Sequence, residues 1–512
     1  MRSRRSTQLV LAVLLLLPCL LATAGCKVTA DDVEAWKGTV KGPGKIVAVI
    51  LADKYPDDLR TRAAIALVEM ERQDVDGVQE LQRALQRLDP AKRAQIIDGM
   101  VPGLEAMMRG GNAAQPSAEE GPSAQQVRAK DAAFLLIAQA PPATRARLTQ
   151  AVIGWYVQDF NGRSLAGNYS AEQVVRALGA PAASLLVDAL NSRLPQQALV
   201  KLCELIAQLG DAAAKARAAQ RVVAMEREME GDQFVEWIKS TAREQLRQNA
   251  PAQAVDEGRL TTIATLNREN FINDGALPSM KFLTSEAVVV ERLLEIAEAR
   301  STDAKITERR KRALMALEGA VGPAHLTRLL NLALGAGDDN PDTVRDYAFD
   351  RVGDIHSPQA LPSLWPLVQN ATEQRQRWRA SEMLLAIGGA GIVSEFFSKL
   401  PTGRETAYAP EELAGYAQRM SQMTPLPTDV VRAQLNSPQW WARVIALRYF
   451  ERKGTLADAT QMRRLQTDSA VCTGPGWETG YTVGKVAESA IAALIERLGS
   501  GGQPGGNAPA PH

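Results

Sequence analysis

The chain has 512 residues, with 59 basic and 58 acidic side chains and a formal charge of +1. Setting aside Arg2, Arg4 and Arg5 of the N-terminal leader leaves 56 against 58, or −2. A nearly neutral chain lacks the concentrated basic face that phosphate backbones require, so nucleic acid is not an expected partner. Short runs such as Arg309-Arg310-Lys311-Arg312 read as solvated helix faces.

Residues 1–25 open with the three arginines and continue in an apolar run from Leu9 to Ala22. That run is too short for a mature membrane helix, which needs about 20 residues, and it reads as a leader. It ends in Leu21-Ala22-Thr23-Ala24-Gly25-Cys26. Small residues before a cysteine at this place resemble a bacterial lipobox, although Thr23 stands where Leu is usual. The resemblance implies a lipoprotein signal peptide over 1–25, fatty acyl (palmitate) modification of Cys26, and a membrane anchor. Each buried methylene of such chains adds about 0.8 kcal/mol. Lys27, rather than Asp, follows the cysteine; by the same resemblance this implies an outer-membrane, periplasm-facing lipoprotein if the source has two membranes. An ordinary secretory signal cut near Ala24 is the alternative.

Residues 26–44 read as a tether. Val33, Trp36 and Val40 can form a brief capping helix that Lys41-Gly42-Pro43-Gly44 breaks. Residues 45–109 read as N-terminal helical repeats: a helix from Ile46, a hairpin over 57–70 and 74–88, then a helix from Pro90 to Met108. Residues 110–124 are rich in Gly, Ala, Pro, Ser and Glu and read as a flexible linker. Helical periodicity returns over 125–249, with Pro142, Pro181 and Pro195 each at a helix start and one long helical stretch over 211–248. Residues 250–286 mix apolar residues with turn formers and read as an irregular insertion. Residues 287–498 form the clearest array, and 499–512, rich in Gly and Pro, read as a disordered tail.

The array has an internal pattern. Counting from an arginine, apolar or small residues recur at offsets three, four and seven: Arg310 with Ala313, Leu314 and Leu317; Arg345 with Ala348, Phe349 and Val352; Arg377 with Ala380, Ser381 and Leu384; Arg443 with Ala446, Leu447 and Phe450. Arg60, with Ala63, Ala64 and Leu67, follows it in the first repeats. These offsets share one helix face, with a small residue where a neighbour approaches. The arginines of the array are 35, 32 and 66 residues apart, near one helical hairpin or two, which predicts an all-α solenoid of stacked hairpins. The helix–turn–helix units 344–368 and 375–400 are the best formed, and 409–421 reads as a degraded unit. The pattern resembles HEAT-like repeats of the PBS-lyase/HEAT type, most clearly over 309–400 and 437–465. That resemblance implies an α-superhelix with the Arg on the helix rim and Ala inside. The Trp-Leu-Gly-Tyr spacing of tetratricopeptide repeats is absent.

No catalytic motif stands out. His325 and His356 lie in expected turns of different repeats, His512 is near the end, and none belongs to a His-Glu-x-x-His arrangement. Neither a Gly-x-Ser-x-Gly elbow nor a phosphate loop is present, and Gly38, Gly42 and Gly44 do not make a dinucleotide fingerprint. No metal or cofactor is expected. Cys203 falls on an apolar helix face and is expected buried. Cys472, in Val471-Cys472-Thr473-Gly474-Pro475-Gly476-Trp477, reads as part of an ordinary inter-helix loop or, alternatively, as an exposed thiol beside Trp477 at a contact site. Trp440 and Trp441 are adjacent and about 100° apart on a helix, so both cannot face the core. Trp440, Trp441, Trp365, Trp477 and Cys472 are the candidate contact residues, because aromatic anchors are enriched at protein interfaces.

The expected function is that of a lipid-anchored cell-envelope scaffold that binds another envelope protein. Two alternatives remain: an enzyme accessory or lyase-like protein with a pocket near Cys472, and a structural spacer on the membrane.

Overall fold

The computed structural model describes residues 28–72, 74–110, 121–249, 256–335, 337–403 and 406–499. Among these, the chain is helical with no β-strand, and one isolated bridge joins Val471 to Thr482. The leader, Cys26, the linker core and the tail all lie outside the described residues. The chain divides into two compact units, Met1–Val288 and Val289–His512.

Each unit is an α-solenoid. In the second, helices Ala304–Ala316, Asp342–Ile355, Gln374–Gly388, Pro410–Ser421, Trp440–Lys453 and Val483–Gly499 form one layer, each packed on the next. The shorter helices Leu326–Leu334, Leu361–Val368, Val393–Lys399, Thr428–Ala433 and Leu456–Met462 alternate with them as a second layer. In the first unit, Asp57–Glu69, Pro90–Met108, Pro142–Gln158, Ala180–Leu186 and Ala212–Glu230 succeed one another in the same way. The offset residues carry this packing: Ala313, Leu314, Ala348, Val352, Ala380, Leu384, Ala446 and Leu447 are all fully buried. A single hairpin cannot shield such a face, so stacking follows from the pattern.

The arginines do not sit on the rim. Arg310 and Arg377 are fully buried and Arg60 nearly so. A side chain in the first turns of a helix leans toward the helix N-terminus, where the preceding helix ends. Its guanidinium there meets carbonyls left without intrahelical partners and the negative end of the helix dipole. Arg60 Nε donates to Ile50 O at 2.9 Å, and Arg310 Nε to Ala297 O at 2.8 Å. Arg377 Nη1 donates to Asn370 O and Ala371 O, and Arg443 Nη1 to Ser437 O at 2.6 Å. Arg93 and Arg145 do the same to Leu85 O and Leu88 O, and to Ile137 O and Ala140 O. The motif therefore runs through the first unit too. Arg345 differs: it pairs with Asp342 of its own first turn.

Several expectations need correction. The irregular insertion is helical in its described part: Glu257–Asn270 runs through a π turn, Phe271–Ala276, into Leu277–Lys281. Ile272, Ala276, Met280 and Leu283 are fully buried there. The wide π turn takes up Gly275 and leaves Pro278 in the first turn of the next helix, where its missing N–H is harmless. The long helix over 211–248 is two, Ala212–Glu230 and Asp232–Asn249, parted at Gly231. Gly42-Pro43-Gly44 does not break a helix but opens one, Gly42–Leu51, with Pro43 in its first turn. The brief capping helix expected over Val33 and Trp36 does form, as Ala30–Trp36, which buries Val33 and packs on Asp57–Glu69; it ends before Val40. Pro410–Ser421 is a full member of its layer rather than a degraded unit. The stretch Gln374–Lys399 is long and apolar enough to cross a membrane, but its Arg377 is buried in an ion pair with Glu412 of helix Pro410–Ser421 and the chain turns at Gly388–Gly389, as a core hairpin does.

One cap carries a pH prediction. Asp458 accepts from Thr455 N at 2.9 Å, Thr455 Oγ1 at 2.8 Å and Arg432 Nε at 3.0 Å. Burial would raise its carboxyl pKa, but these donors outweigh it and hold the pKa below the usual range. A depressed carboxyl stabilises above its unfolded value of about 3.9, and that contribution is lost as pH falls through the lower folded value. Asp458→Asn is therefore expected to cost about 1 kcal/mol near neutrality. In urea titrations from pH 6 to pH 3, the gap from the parent chain should narrow as pH falls.

Candidate protein-contact surface

The surface is built on the start of helix Trp440–Lys453. Trp441 turns inward and is buried beside Tyr408, with ring centroids 5.5 Å apart. Trp440 is half-buried. It meets Tyr408 edge-on at 6.2 Å and Trp477 edge-on at 6.2 Å. Trp477, also half-buried, continues the row to Tyr481 at 5.5 Å, and Lys485 Nζ lies 5.4 Å from the Tyr481 ring. The result is a ladder of aromatic rings with one buried end and one open end, in the geometries that ring quadrupoles favour.

The loop before Val483–Gly499 holds the ladder in place. Trp477 Nε1 donates to Tyr408 O at 2.7 Å, and Tyr408 N donates to Thr473 O at 3.1 Å. Gly474, with φ of 147°, lets the loop lie directly on Tyr408; a Cβ there would be 2.4 Å from Tyr408 O. Below the ladder, the Arg377 guanidinium stacks on Tyr408 at 4.5 Å and donates to Ala407 O at 2.6 Å. Tyr408 Oη donates to Pro401 O at 2.8 Å, and burial raises its phenol pKa. The aromatic platform is thus fixed in position by backbone and charge.

Of the two readings of Cys472, the exposed contact thiol does not hold. It is 4% exposed, its N donates to Tyr481 O at 2.8 Å, and burial with Asp468 nearby pushes its thiol pKa up to about 12. The bridge between Val471 and Thr482 folds the loop over it. A thiol held protonated and covered is a poor nucleophile. Cys203 is fully buried as expected, with its pKa likewise pushed to about 12 by burial. Trp365 stands on another helix, Leu361–Val368, with Lys399 Nζ 4.5 Å from its ring centroid. The structure thus brings Trp440, Trp441 and Trp477 together and adds Tyr408 and Tyr481. The two described histidines lie at turns: His356 takes a left-handed conformation after Asp342–Ile355, and His325 Nδ1 accepts from Gly322 N at 3.1 Å. Among the described residues, no group of three or more His, Cys, Asp or Glu is placed to hold a metal.

No protein-family model matches the chain. No curated protein matches it either. Among solved structures, it is similar to the karyopherin Kap121p bound to the SUMO protease Ulp1p, at 14% identity and a TM-score of 0.34, over 97% of this chain and 49% of that one. It is similar also to Kap121p bound to Nup53p, at 14% identity and 0.35 over 97% and 49%, and to Kap121p bound to RanGTP, at 13% and 0.33 over 92% and 48%. The chain spans about half the length of these structures.

Proposed function

We propose that this chain is a lipid-anchored scaffold of the cell envelope, facing the periplasm, that binds another envelope protein through the aromatic ladder of its second unit. The observation that carries the reading is the pairing of Trp440 with Trp477 and Tyr481: half-buried, held by backbone hydrogen bonds, and open at one end. Fixed aromatic rings lose little conformational freedom on binding and are enriched at the energetic centres of interfaces. The lipobox-like ending at Cys26 supports the anchor. Burial of Cys472 removes the main support for a lyase-like site at that thiol.

Trp440→Ala combined with Tyr481→Ala is expected to abolish co-purification of a partner after membrane solubilisation, while the thermal melt moves little. A binding loss of about 2 kcal/mol or more, roughly 30-fold, is the expected scale for such anchors. Undiminished co-purification by the double variant would remove this surface from the reading. For the anchor, Cys26→Ser should abolish labelling by radioactive palmitate and move the chain from the membrane to the soluble fraction. Unlabelled parent chain would remove the lipid from the account and leave the binding surface standing.

A further inference from the structure

We propose that the chain's own segment Ala508-Pro509-Ala510-Pro511 covers the aromatic ladder until a partner displaces it. The proposal rests on the reading of the ladder as an open contact surface, and it names the first occupant of that surface.

Three rings form the open end. Trp440, Trp477 and Tyr481 are half-buried, with centroids 6.2 and 5.5 Å apart. Two donors there are unused and accessible. Among the described residues nothing accepts from Trp440 Nε1 or Tyr481 Oη, and neither is a buried unmatched atom. Trp477 Nε1, by contrast, is committed to Tyr408 O. The surface therefore offers ring faces together with hydrogen-bond donors. Its complement is an apolar segment with free carbonyls and few N–H groups. A proline-rich segment in the polyproline II form has that chemistry: its carbonyls have no internal partner, and each proline removes an N–H. Aromatic-lined grooves take such segments for this reason.

The chain supplies one within reach. Residues 500–512 lie outside the described residues and follow directly on helix Val483–Gly499. They hold Pro504, Pro509 and Pro511 and no Lys, Arg, Asp or Glu, so no fixed charge has to leave water on the rings. Tyr481 stands just before that helix and Gly499 ends it, which places them about 27 Å apart at 1.5 Å per residue. The ten residues from Gly499 to Pro509 span up to about 33 Å when extended. An exposed helix face lies between the two points: Lys485, Glu488, Ala492 and Ile495 follow one another along it. Lys485 Nζ marks the ladder end of this path, 5.4 Å from the Tyr481 ring centroid. Tethering holds the segment at an effective concentration in about the millimolar range, so even a weak ligand occupies the rings.

A photo-crosslinking residue at Ala510 of the purified full chain tests the contact, with the adduct mapped by mass spectrometry. The expected result is an adduct within one chain, on Trp440, Trp477 or Tyr481, at a yield independent of protein concentration. Pro509→Ser with Pro511→Ser leaves both helical units untouched and should lower that yield about 10-fold. Removing residues 500–512 should raise recovery of the co-purifying partner by about twofold or more. No adduct, an adduct away from the ladder, or a yield unchanged by the two serines would overturn the proposal. An adduct between two chains that grows with concentration would overturn the choice of occupant in favour of a second copy. Loss of the partner by the Trp440→Ala, Tyr481→Ala chain, with no adduct from residue 510, would overturn this proposal alone and leave the contact surface standing. The adduct in the parent chain, with undiminished co-purification by that double variant, would support the tail as occupant and remove the partner.

Discussion

Arg377→Leu is expected to destabilise the second unit by about 3–5 kcal/mol, the scale for breaking a buried ion pair from one side. Both Arg377 and Glu412 are fully buried, and they meet bidentately, Nε to Oε1 at 3.0 Å and Nη2 to Oε2 at 3.2 Å. Burial pulls the Arg377 pKa down, but Glu412 more than offsets it and the pKa rises, so the guanidinium stays charged. Tyr416 Oη donates to Glu412 Oε1 at 2.7 Å, and the same arginine serves the carbonyls of Asn370, Ala371 and Ala407. Leucine would leave a buried carboxylate without its counter-charge, held only by the Tyr416 hydroxyl and by Gln374 Nε2, which donates to Oε2 at 3.1 Å. Arg377→Leu with Glu412→Leu removes the stranded charge, so the double variant should be more stable than Arg377→Leu alone, despite the carbonyls left unserved. Urea denaturation read by circular dichroism gives both values. Additive losses would show that the pair does not act as one unit.

Lys130→Met should cost the first unit a similar amount, about 3–5 kcal/mol, and lower its melting temperature by roughly 10 °C. Lys130 is fully buried. Its Nζ lies 2.5 Å from Asp131 Oδ1 and donates to Ala166 O at 2.8 Å and Tyr169 O at 2.9 Å. Asp131 Oδ2 accepts from Asn168 N at 2.8 Å, so the pair ties down the turn between Phe160–Arg163 and Ala171–Leu178. Gly167, at φ 82°, passes so close that a Cβ would be 2.7 Å from Asp131 Oδ2. The ammonium also sits 5.5 and 5.3 Å from the Trp155 and Tyr156 ring centroids. Methionine fills the volume but removes the cation beside Asp131 and the donor to Ala166 O, leaving Asp131 with Asn168 N and Tyr169 O with the Tyr156 hydroxyl at 2.7 Å. Lys130→Arg should not rescue it, because a planar fork does not fit the space of a compact ammonium. A loss under 1 kcal/mol in either variant would mean that water serves this site.

The stacked hairpins were legible because offsets of three, four and seven can only face one way on a helix. The destination of the arginines was not. A periodic arginine looks like a solvated rim, and only the packed structure brings the ends of preceding helices to it. Arg93 and Arg145 escaped notice because Ile96 and Leu148 follow them where an alanine was sought. Lys130 left a readable trace: it falls on the same stripe as Gln126, Ala129, Ala133 and Ile137, all buried. A charge on an apolar stripe calls for a buried partner. Trp440 and Trp441 were separable by angle alone, and the structure turns Trp441 in and leaves Trp440 half-open. Tyr408 lies in a connection without periodicity, and Cys472 in a Gly/Pro loop, so contacts distant in sequence decided their burial. The segment over 250–286 misled because Gly275 and Pro278 look like breaks, and a π turn absorbs them.

A photo-crosslinking residue placed at Lys485, beside Tyr481, with Leu266 of the first unit as the exposed control, tests the proposed contact surface in living cells. One discrete adduct is expected at 485 and none at 266, and the adduct should be lost when Trp440→Ala is added. An adduct at 485 that persists unchanged in the Trp440→Ala chain, or none at 485 at all, would contradict the proposed contact surface.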